Sequence, residues 1–352
     1  MDSVVQTCAS LTEEDVAFLQ KLEADLGILA DLSRADVLMY CPCSGDRAML
    51  VAQASPHSIL PIYGESQVER QVGSVEEPAV LHALAEGRQG HTEVRRVIGG
   101  QDSPGKAAPI VQETYPIHAA DGRVIAVICV ETNQIERVRH RRRSKVFQRA
   151  LKLFQQTVLA GALVDAENLS PFAEHDGVMV VDTQHRIQYI SGVATNLYRK
   201  LAYGGDLRKR HIDDLEPDDL SLALEAMDQG ACIEAETEVR DLVWIKKAIP
   251  FYSSGRRVRK LFPGVGSSWR LEGVLISIHD ATEARRQEDE LRVKVAMMQE
   301  IHHRVKNNMQ TIASLLRLQA RRAESDEVRR ALQEGTSRIL RVAVIRAFLA
   351  LA

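Results

Sequence analysis

The sequence predicts an α+β protein in which two α/β domains with antiparallel sheets precede a two-helix hairpin. Strand-like segments bounded by turn residues recur over 35–132 and again over 176–280. Asp121-Gly122 lies between two such segments, which is a strong hairpin signal and therefore favours antiparallel pairing. From residue 283 onward the pattern is helical, with one break at 323–326. The order helix, sheet, helix, sheet favours α+β domains over alternating parallel units.

Composition limits the class of protein. A chain of 352 residues is long enough for two or three domains, and 45% hydrophobic with 26% charged residues is typical of globular proteins. The net charge of −3 gives no overall field favouring nucleic acid or an anionic membrane. The longest apolar run, 124–130, is far too short to span a bilayer, and no secretory signal opens the chain. Five cysteines argue against a disulfide framework, so we expect a cytoplasmic protein.

Residues 1–135 form the first predicted domain. Its first helix begins at Thr12, which is followed by three acidic residues as in a capped helix N-terminus. The later elements are strands at 35–40 and 47–54, a helix at 77–87, a flexible loop at 99–108 and a hairpin at 112–132.

Two cysteines flank Pro42 in the segment 41–46, which we predict to be the turn between the first two strands. The thiolates of Cys41 and Cys43 are weak candidate ligands for a soft metal such as copper or zinc. No His or further Cys lies close in sequence, and an isolated pair rarely completes a site. We therefore expect no metal.

Residues 136–168 form a predicted helical linker that contains the basic run 139–145. One interpretation of this run is an arm that binds nucleic acid. A solvated helix face is favoured, because the whole chain is acidic and no aromatic residues interleave for base stacking. Nucleic-acid binding remains a minor alternative.

Residues 169–284 form the second predicted domain. Five strands are expected at 176–182, 186–191, 232–239, 243–252 and 273–280, with helical segments at 193–197, 210–215 and 218–227. An exposed loop is expected at 255–268. At the exit, Asp280 precedes Thr282 and is a candidate N-cap of the outgoing helix.

Residues 285–352 form the predicted hairpin. On a helical wheel of about 100° per residue, one apolar stripe with 4–3–4 spacing comprises Met298, Val305, Met309, Ile312 and Leu316. His303 lies about 160° from the centre of this stripe and His302 only about 60° from it. A second stripe comprises Val328, Leu332, Ile339, Val342 and Leu349. One hairpin cannot enclose a core, so we expect a homodimer with a four-helix bundle.

His303 is the candidate catalytic residue because an exposed neutral imidazole is nucleophilic near pH 7 and can attack a phosphoryl group. Glu300, one turn earlier, can hold the proton on the other ring nitrogen. Arg304 and Lys306 flank the site and can meet phosphate charge. The ordinary alternative is a solvent-facing His on a bundle helix. The polar face beside it, which includes Asn307, favours the functional interpretation.

Residues 300–310, EIHHRVKNNMQ, resemble the phosphoacceptor box of HisKA_2-type sensor histidine kinases, and 315–322 continue the likeness. The resemblance implies that His303, the His before Arg304, carries the phosphate, and that Asn307 orients a water in a reverse phosphatase reaction. Residues 1–135 resemble a GAF domain in element order, and 169–284 resemble a PAS domain. Asp280 and Thr282 match the Asp-x-Thr junction that ends many PAS domains. The domain order is similar to that of PdtaS-type kinases.

The resemblance also implies cofactors and partners. Kinases of this family use ATP with Mg on a domain after the hairpin, but up to Ala352 there is no Gly-rich phosphate loop. We therefore expect that this chain alone does not autophosphorylate. The implied partner is a response-regulator receiver domain, in PdtaS-type systems one with an RNA-binding antiterminator domain. The sensory ligand is unknown. The rival hypothesis is a non-catalytic dimeric scaffold that senses a ligand.

Overall fold

The computed structural model describes residues 11–97, 107–254 and 269–349, and the chain divides into two compact units, Met1–Asp280 and Ala281–Ala352. Most of the predicted loop at 99–108 and all of that at 255–268 lie outside the described residues. Within the described part of the chain, no helix is long and apolar enough to cross a membrane.

The first half of the larger unit contains one six-stranded sheet and two helices. The helices are α1 (Glu13–Ser33) and α2 (Pro78–Glu86). The strands are β1 (Asp36–Cys43), β2 (Arg47–Ala54), β3 (Gln71–Gly73), β4 (Gly90–Val97), β5 (Ala107–His118) and β6 (Val124–Asn133). The strand order is β3-β2-β1-β6-β5-β4, with antiparallel pairing throughout. This sheet confirms the prediction of an antiparallel α+β domain.

Local sequence signals explain the ends of these elements. Thr12 caps α1 through a capping box, in which its side chain accepts from the Asp15 backbone N–H and Asp15 accepts from the Thr12 backbone N–H. The β5–β6 hairpin turns at Gly122, which has a φ of 89°. That left-handed conformation favours glycine and explains the Asp-Gly signal.

The predicted turn at 41–46 is wrong in its first half. Cys41, Pro42 and Cys43 continue β1 and oppose Met49, Ala48 and Arg47 of β2, so only 44–46 turn. Cys41 is fully buried in the core between the sheet and α1, and its burial favours extended structure over an exposed loop.

Two helices connect the sheets, α3 (Gln134–Arg142) and α4 (Lys145–Leu159), where the sequence predicted one helical linker over 136–168. The break follows from Ser144, whose side chain accepts from the Phe147 backbone N–H and so starts a new helix. The Gln148 amide closes the preceding end by donating to the carbonyls of His140, Arg141 and Arg143.

Helix α4 has an apolar face that is buried in a core shared by both sheets. Phe147, Phe154 and Val158 are at most 1% exposed and belong to the same cluster as α1 residues and residues of the second sheet. The predicted linker is therefore a packed structural element, since removing it would expose aromatic surface on both sides.

The second half of the larger unit is a five-stranded antiparallel sheet with order β8-β7-β11-β10-β9. Its strands are β7 (Gly177–Asp182), β8 (Ile187–Ile190), β9 (Ile233–Val239), β10 (Leu242–Ser254) and β11 (Trp269–Asp280), and its helices are α5 (Gly192–Lys200) and α6 (Pro217–Gln229). All five strands were predicted. The predicted helix at 210–215 is only a 3₁₀ turn, Ile212–Asp214.

The smaller unit is a pair of helices, α7 (Thr282–Arg322) and α8 (Asp326–Leu349), joined by a three-residue turn. Helix α7 runs unbroken for 41 residues, as expected for a segment without Gly or Pro. Two antiparallel-sheet regions followed by this hairpin confirm the predicted fold class.

Candidate functional site

The two adjacent histidines of α7 lie on different faces, as the helical wheel predicted. His303 is exposed, whereas His302 is half-buried. The face that packs within the hairpin repeats at heptad-like spacing and comprises His302, Val305, Met309, Ala313, Leu316 and Ala320. A packed seam on one side fixes the rotation of the helix, so His303 faces water on a rigid support.

Two members of the predicted stripe lie outside this seam. Met298 is 58% exposed and Ile312 is 47% exposed, although the wheel placed both with Val305. Ala313, which is 2% exposed, takes the place that the wheel gave to Ile312. The centre of the seam is rotated toward His302, because small residues allow the two helices to approach closely there. One hairpin thus leaves large apolar side chains open to solvent.

Glu300 and Arg304 form an ion pair beside His303, with Arg304 Nε 2.7 Å from Glu300 Oε1. Within the described residues, no hydrogen bond joins the Glu300 carboxylate to His303. The pair is 60–77% exposed, and exposed pairs at this spacing contribute little to stability. The ion pair can therefore break at a small cost in free energy. Glu300 is then free to bind an imidazole, and Arg304 is free to bind an incoming phosphate.

The other polar residues near His303 are also on the solvent side. Asn307 and Gln310 are exposed, and their backbone carbonyls accept from the hydroxyls of Thr311 and Ser314. Both hydroxyls donate hydrogen bonds within the helix. The side-chain amide of Asn307 is therefore the polar group that lies one turn after His303. The side chain of Lys306 lies outside the described side chains.

Helix α8 meets the seam with Leu332 and Thr336. Thr336 is 5% exposed, and its hydroxyl donates to the Leu332 carbonyl at 2.8 Å. Sequence reasoning missed Thr336 because it is polar, although a back-bonded hydroxyl presents its methyl group to a core. Val328, predicted in the stripe, is 50% exposed. The side chains of Ile339, Val342 and Leu349 lie outside the described side chains.

The exit residues of the second sheet have separate roles. Asp280 ends β11, and its carboxylate accepts from Lys200 Nζ at 2.6 Å. The N-cap of α7 is Ala281, with no side-chain capping bond, so the predicted Asp280 cap is wrong. Thr282 is the first residue of α7 and is 8% exposed.

The candidate metal ligands lie on one strand. Cys41 is buried and Cys43 is half-buried, and both are free thiols, as are Cys129 and Cys232. In the described ranges no cluster of three or more potential ligands could hold a metal ion.

Two buried polar networks were not predicted from the sequence. In the second sheet region Lys246 Nζ lies 2.6 Å from Asp219 Oδ1, both side chains are fully buried, and Tyr198 donates to the same carboxylate at 2.7 Å. In the first sheet region Gln112 donates to Glu77 and Glu131, both at 2.9 Å. These partners are far apart in sequence, so only the three-dimensional pairing shows that their charged and polar groups are buried together.

Comparison with known families identifies two segments. Residues 1–150 match the family model described as the GAF domain of histidine kinase PdtaS, and residues 300–351 match the HisKA_2 histidine kinase model. The first match runs past the boundary predicted at residue 135. The second covers the histidine box, the part of α7 from residue 300 onward and α8. These matches confirm the predicted resemblance to a HisKA_2-type sensor histidine kinase with a GAF-like domain.

Similar proteins agree with this assignment. The chain is 29% identical over 350 residues to the sensor histidine kinase PdtaS of Mycobacterium tuberculosis and 24% identical over 344 residues to that of Mycolicibacterium smegmatis. Each alignment covers 94% of this chain, which spans 65% of the relative's length. A solved structure titled the sensor region of a sensor histidine kinase matches 81% of this chain and 98% of its own, with 19% identity and a TM-score of 0.56. That likeness concerns the fold alone.

Proposed function

We propose that this chain is the sensory and phosphoacceptor region of a two-component histidine kinase and that His303 carries the phosphate. The observation that carries the proposal is the exposure of His303 on the polar face of a helix whose opposite face is packed. His302 is half-buried and is a packing residue.

In the proposed reaction a ring nitrogen of His303 attacks the γ-phosphorus of ATP, a P–N bond forms, and ADP leaves. ATP and Mg would be held by residues outside this chain. Arg304 and Lys306 would offset the charge on the transferred group. Glu300 would release Arg304 and accept a hydrogen bond from the N–H of the second ring nitrogen, which holds the proton there and keeps the attacking nitrogen unprotonated.

The phosphoryl group would then pass from His303 to an aspartate of a response-regulator receiver domain in the cytoplasm. By similarity to PdtaS-type kinases, we propose that this receiver carries an RNA-binding antiterminator domain. In the reverse direction Asn307 would orient a water for hydrolysis, since its amide is exposed one turn from His303.

We also propose that the hairpin forms a homodimer through the apolar residues it leaves exposed. These side chains are 44–60% exposed on α7 and comprise Leu291, Met298, Ile301, Ile312, Leu315 and Leu318. Exposed apolar side chains grouped on one helix mark an interaction surface, and a second copy would complete a four-helix bundle. The PAS-like identity of residues 169–284 and the unknown sensory ligand belong to the same proposal.

The test is incubation with labelled ATP of a longer protein that adds an ATP-binding domain to this chain. Acid-labile label is expected in the wild type and in His302→Gln, and it should be absent from His303→Gln. His302→Gln is the matched control because it makes the same change at the neighbouring position. Label retained by His303→Gln would overturn the assignment of His303, and a wild type without label would favour the alternative, a scaffold whose bundle only dimerises and whose sheets sense a ligand.

A further inference from the structure

An open cavity of about 380 Å³ lies in the larger unit, at the edge of the first sheet where α1 ends and α3 begins. Six of its lining residues are Arg34, His57, Ile59, Leu60, Ile135 and Arg139. The volume falls in the range of small-molecule sites. The cavity is far in sequence from the histidine box and has no part in the phosphotransfer proposed above.

Two guanidinium groups at the cavity share one buried carboxylate. Arg34 Nε lies 2.9 Å from Glu136 Oε2, and Arg139 pairs with the other oxygen of Glu136, whose side chain is only 4% exposed. Each guanidinium has five N–H donors. Arg139 donates to Glu136, whereas the contact of Arg34 Nε with Glu136 Oε2 is an ion pair without hydrogen-bond geometry. Both guanidinium groups therefore keep donors that Glu136 does not use. Arg139 and Glu174, which also lines the cavity, are both exposed, so water screens both of these opposite charges.

The arrangement of these groups is held by the fold. Arg34 occupies the C-cap of α1 with a φ of 49°, a left-handed conformation that a non-glycine residue adopts only when its surroundings compensate. His57 is fixed by the buried Asp31, which accepts from its backbone N–H at 2.7 Å and lies 3.2 Å from its Nδ1. The polar wall is therefore built before any ligand arrives, which lowers the entropic cost of binding.

The other wall is apolar and open to solvent. Leu60 is 77% exposed and Ile135 is 69% exposed, and both border the cavity beside the half-buried Ile59. Large apolar side chains grouped around a cationic pair suit a ligand with an anionic end and a short hydrophobic body. The planar fork of donors on a guanidinium matches a carboxylate end, and the apolar wall suits a carbon body over inorganic phosphate.

We propose that this cavity binds a small organic monocarboxylate. Its carboxylate pairs with Arg34 and Arg139, and its aliphatic or aromatic body covers Leu60 and Ile135. Asp31 connects the cavity to the second sheet region, because it also accepts from the Phe172 backbone N–H at 3.2 Å. Occupancy is thereby coupled to the segment that joins the two sheets.

The test uses this chain and isothermal titration with benzoate and butyrate, each matched with its neutral amide. Saturable binding of a carboxylate and none of its amide is expected. Arg139→Gln should weaken binding about tenfold, because a charge-assisted hydrogen bond is lost. Arg142→Gln is the matched control, since it removes the same charge from an exposed position on the same helix and should bind as the wild type.

A second pair of variants avoids the ion-pair network. Leu60→Glu adds a negative charge at the cavity mouth and should weaken binding, whereas Val75→Glu, at a side chain 93% exposed elsewhere, should not. The proposal is overturned if neither carboxylate binds or if the amides bind equally well. It is also overturned if inorganic phosphate binds more tightly than the carboxylates, or if the Arg142 and Arg139 variants lose affinity alike.

Discussion

The sheet-containing unit and the helical unit differ in how completely each buries its own core. In residues 11–280 the side chains of Phe147, Phe154, Tyr198 and Trp244 are at most 1% exposed, and even Lys246 is fully buried. In the described part of the helical unit, by contrast, burial is reached only by small side chains, which are Ala281, Thr282, Ala313, Ala320 and Thr336. The sheet-containing unit thus encloses large side chains in its own core, whereas the hairpin leaves apolar surface that another chain could cover.

The largest effect is expected in the core of the sheet-containing unit. Lys246→Met leaves the Asp219 carboxylate buried without its cation, which should lower the free energy of unfolding by about 3–5 kcal/mol. Chemical denaturation would measure this loss. Lys200→Met is the control, because its pair with Asp280 is 53% and 24% exposed and is expected to contribute less than about 1 kcal/mol. Equal losses in the two variants would contradict the contrast between buried and exposed pairs.

The next effect tests the incomplete core of the hairpin. Ile312→Ser should weaken self-association by about 1–2 kcal/mol per copy, because it removes apolar area that a second chain would cover. Sedimentation equilibrium would measure the dimer constant. Val75→Ser, at a side chain 93% exposed in the other unit, should leave that constant unchanged. A wild-type chain that is monomeric, or an Ile312 variant that dimerises normally, would refute the dimer surface.

A pH effect is expected from Asp25 on α1, which is 2% exposed and whose pKa is raised by burial to about 7. Because the folded-state pKa exceeds the unfolded value of 3.8, the folded chain binds the proton more tightly. Its stability should therefore fall as pH rises from about 4 to 7 and then level off. Asp25→Asn should remove this slope and stabilise the chain by about 1–2 kcal/mol at pH 8.

Thermal unfolding at pH 4 and pH 8 would measure that difference. Asp121→Asn is the control, because the pKa of that exposed carboxyl is lowered by Arg123, so its charge is favourable in the folded state. A gain at pH 8 from Asp121→Asn, or none from Asp25→Asn, would contradict the assigned cause.

The smallest effect separates the adjacent histidines. His302→Gln should cost about 1 kcal/mol because the ring packs in the seam, whereas His303→Gln should change stability by less than about 0.5 kcal/mol. Circular dichroism would follow the thermal unfolding of the hairpin and compare the stabilities of the two variants. A larger loss from the exposed position would show that the packed face had been assigned to the wrong histidine.

Much of this architecture follows from local signals. Strand and helix patterns located every strand of the second sheet, and the Thr12 capping box and the Asp121-Gly122 turn set element ends. The faces of His302 and His303 followed from helical periodicity alone. A site on an exposed helix is accessible to such reasoning because its residues are neighbours in sequence.

The rest depends on contacts between distant residues. The pairing of Lys246 with Asp219 joins a strand to a helix, and the packing of α4 against both sheets joins two regions predicted as separate domains. The cavity beside Arg34 brings together four parts of the chain that show no common pattern. The helical wheel wrongly assigned Ile312 to the packed face, because that face is rotated toward small residues. The rotation depends on how the second helix packs.

The most direct measurement of the central claim is residue-level mapping of the phosphate. The extended protein would react with ATP, and electron-transfer fragmentation mass spectrometry under non-acidic conditions would locate the modification within 300–310. Phosphate on His303, with none on His302, is the predicted result. Phosphate on His302, or an unmodified segment in a protein that turns over ATP, would contradict the assignment of the exposed imidazole as the phosphoacceptor.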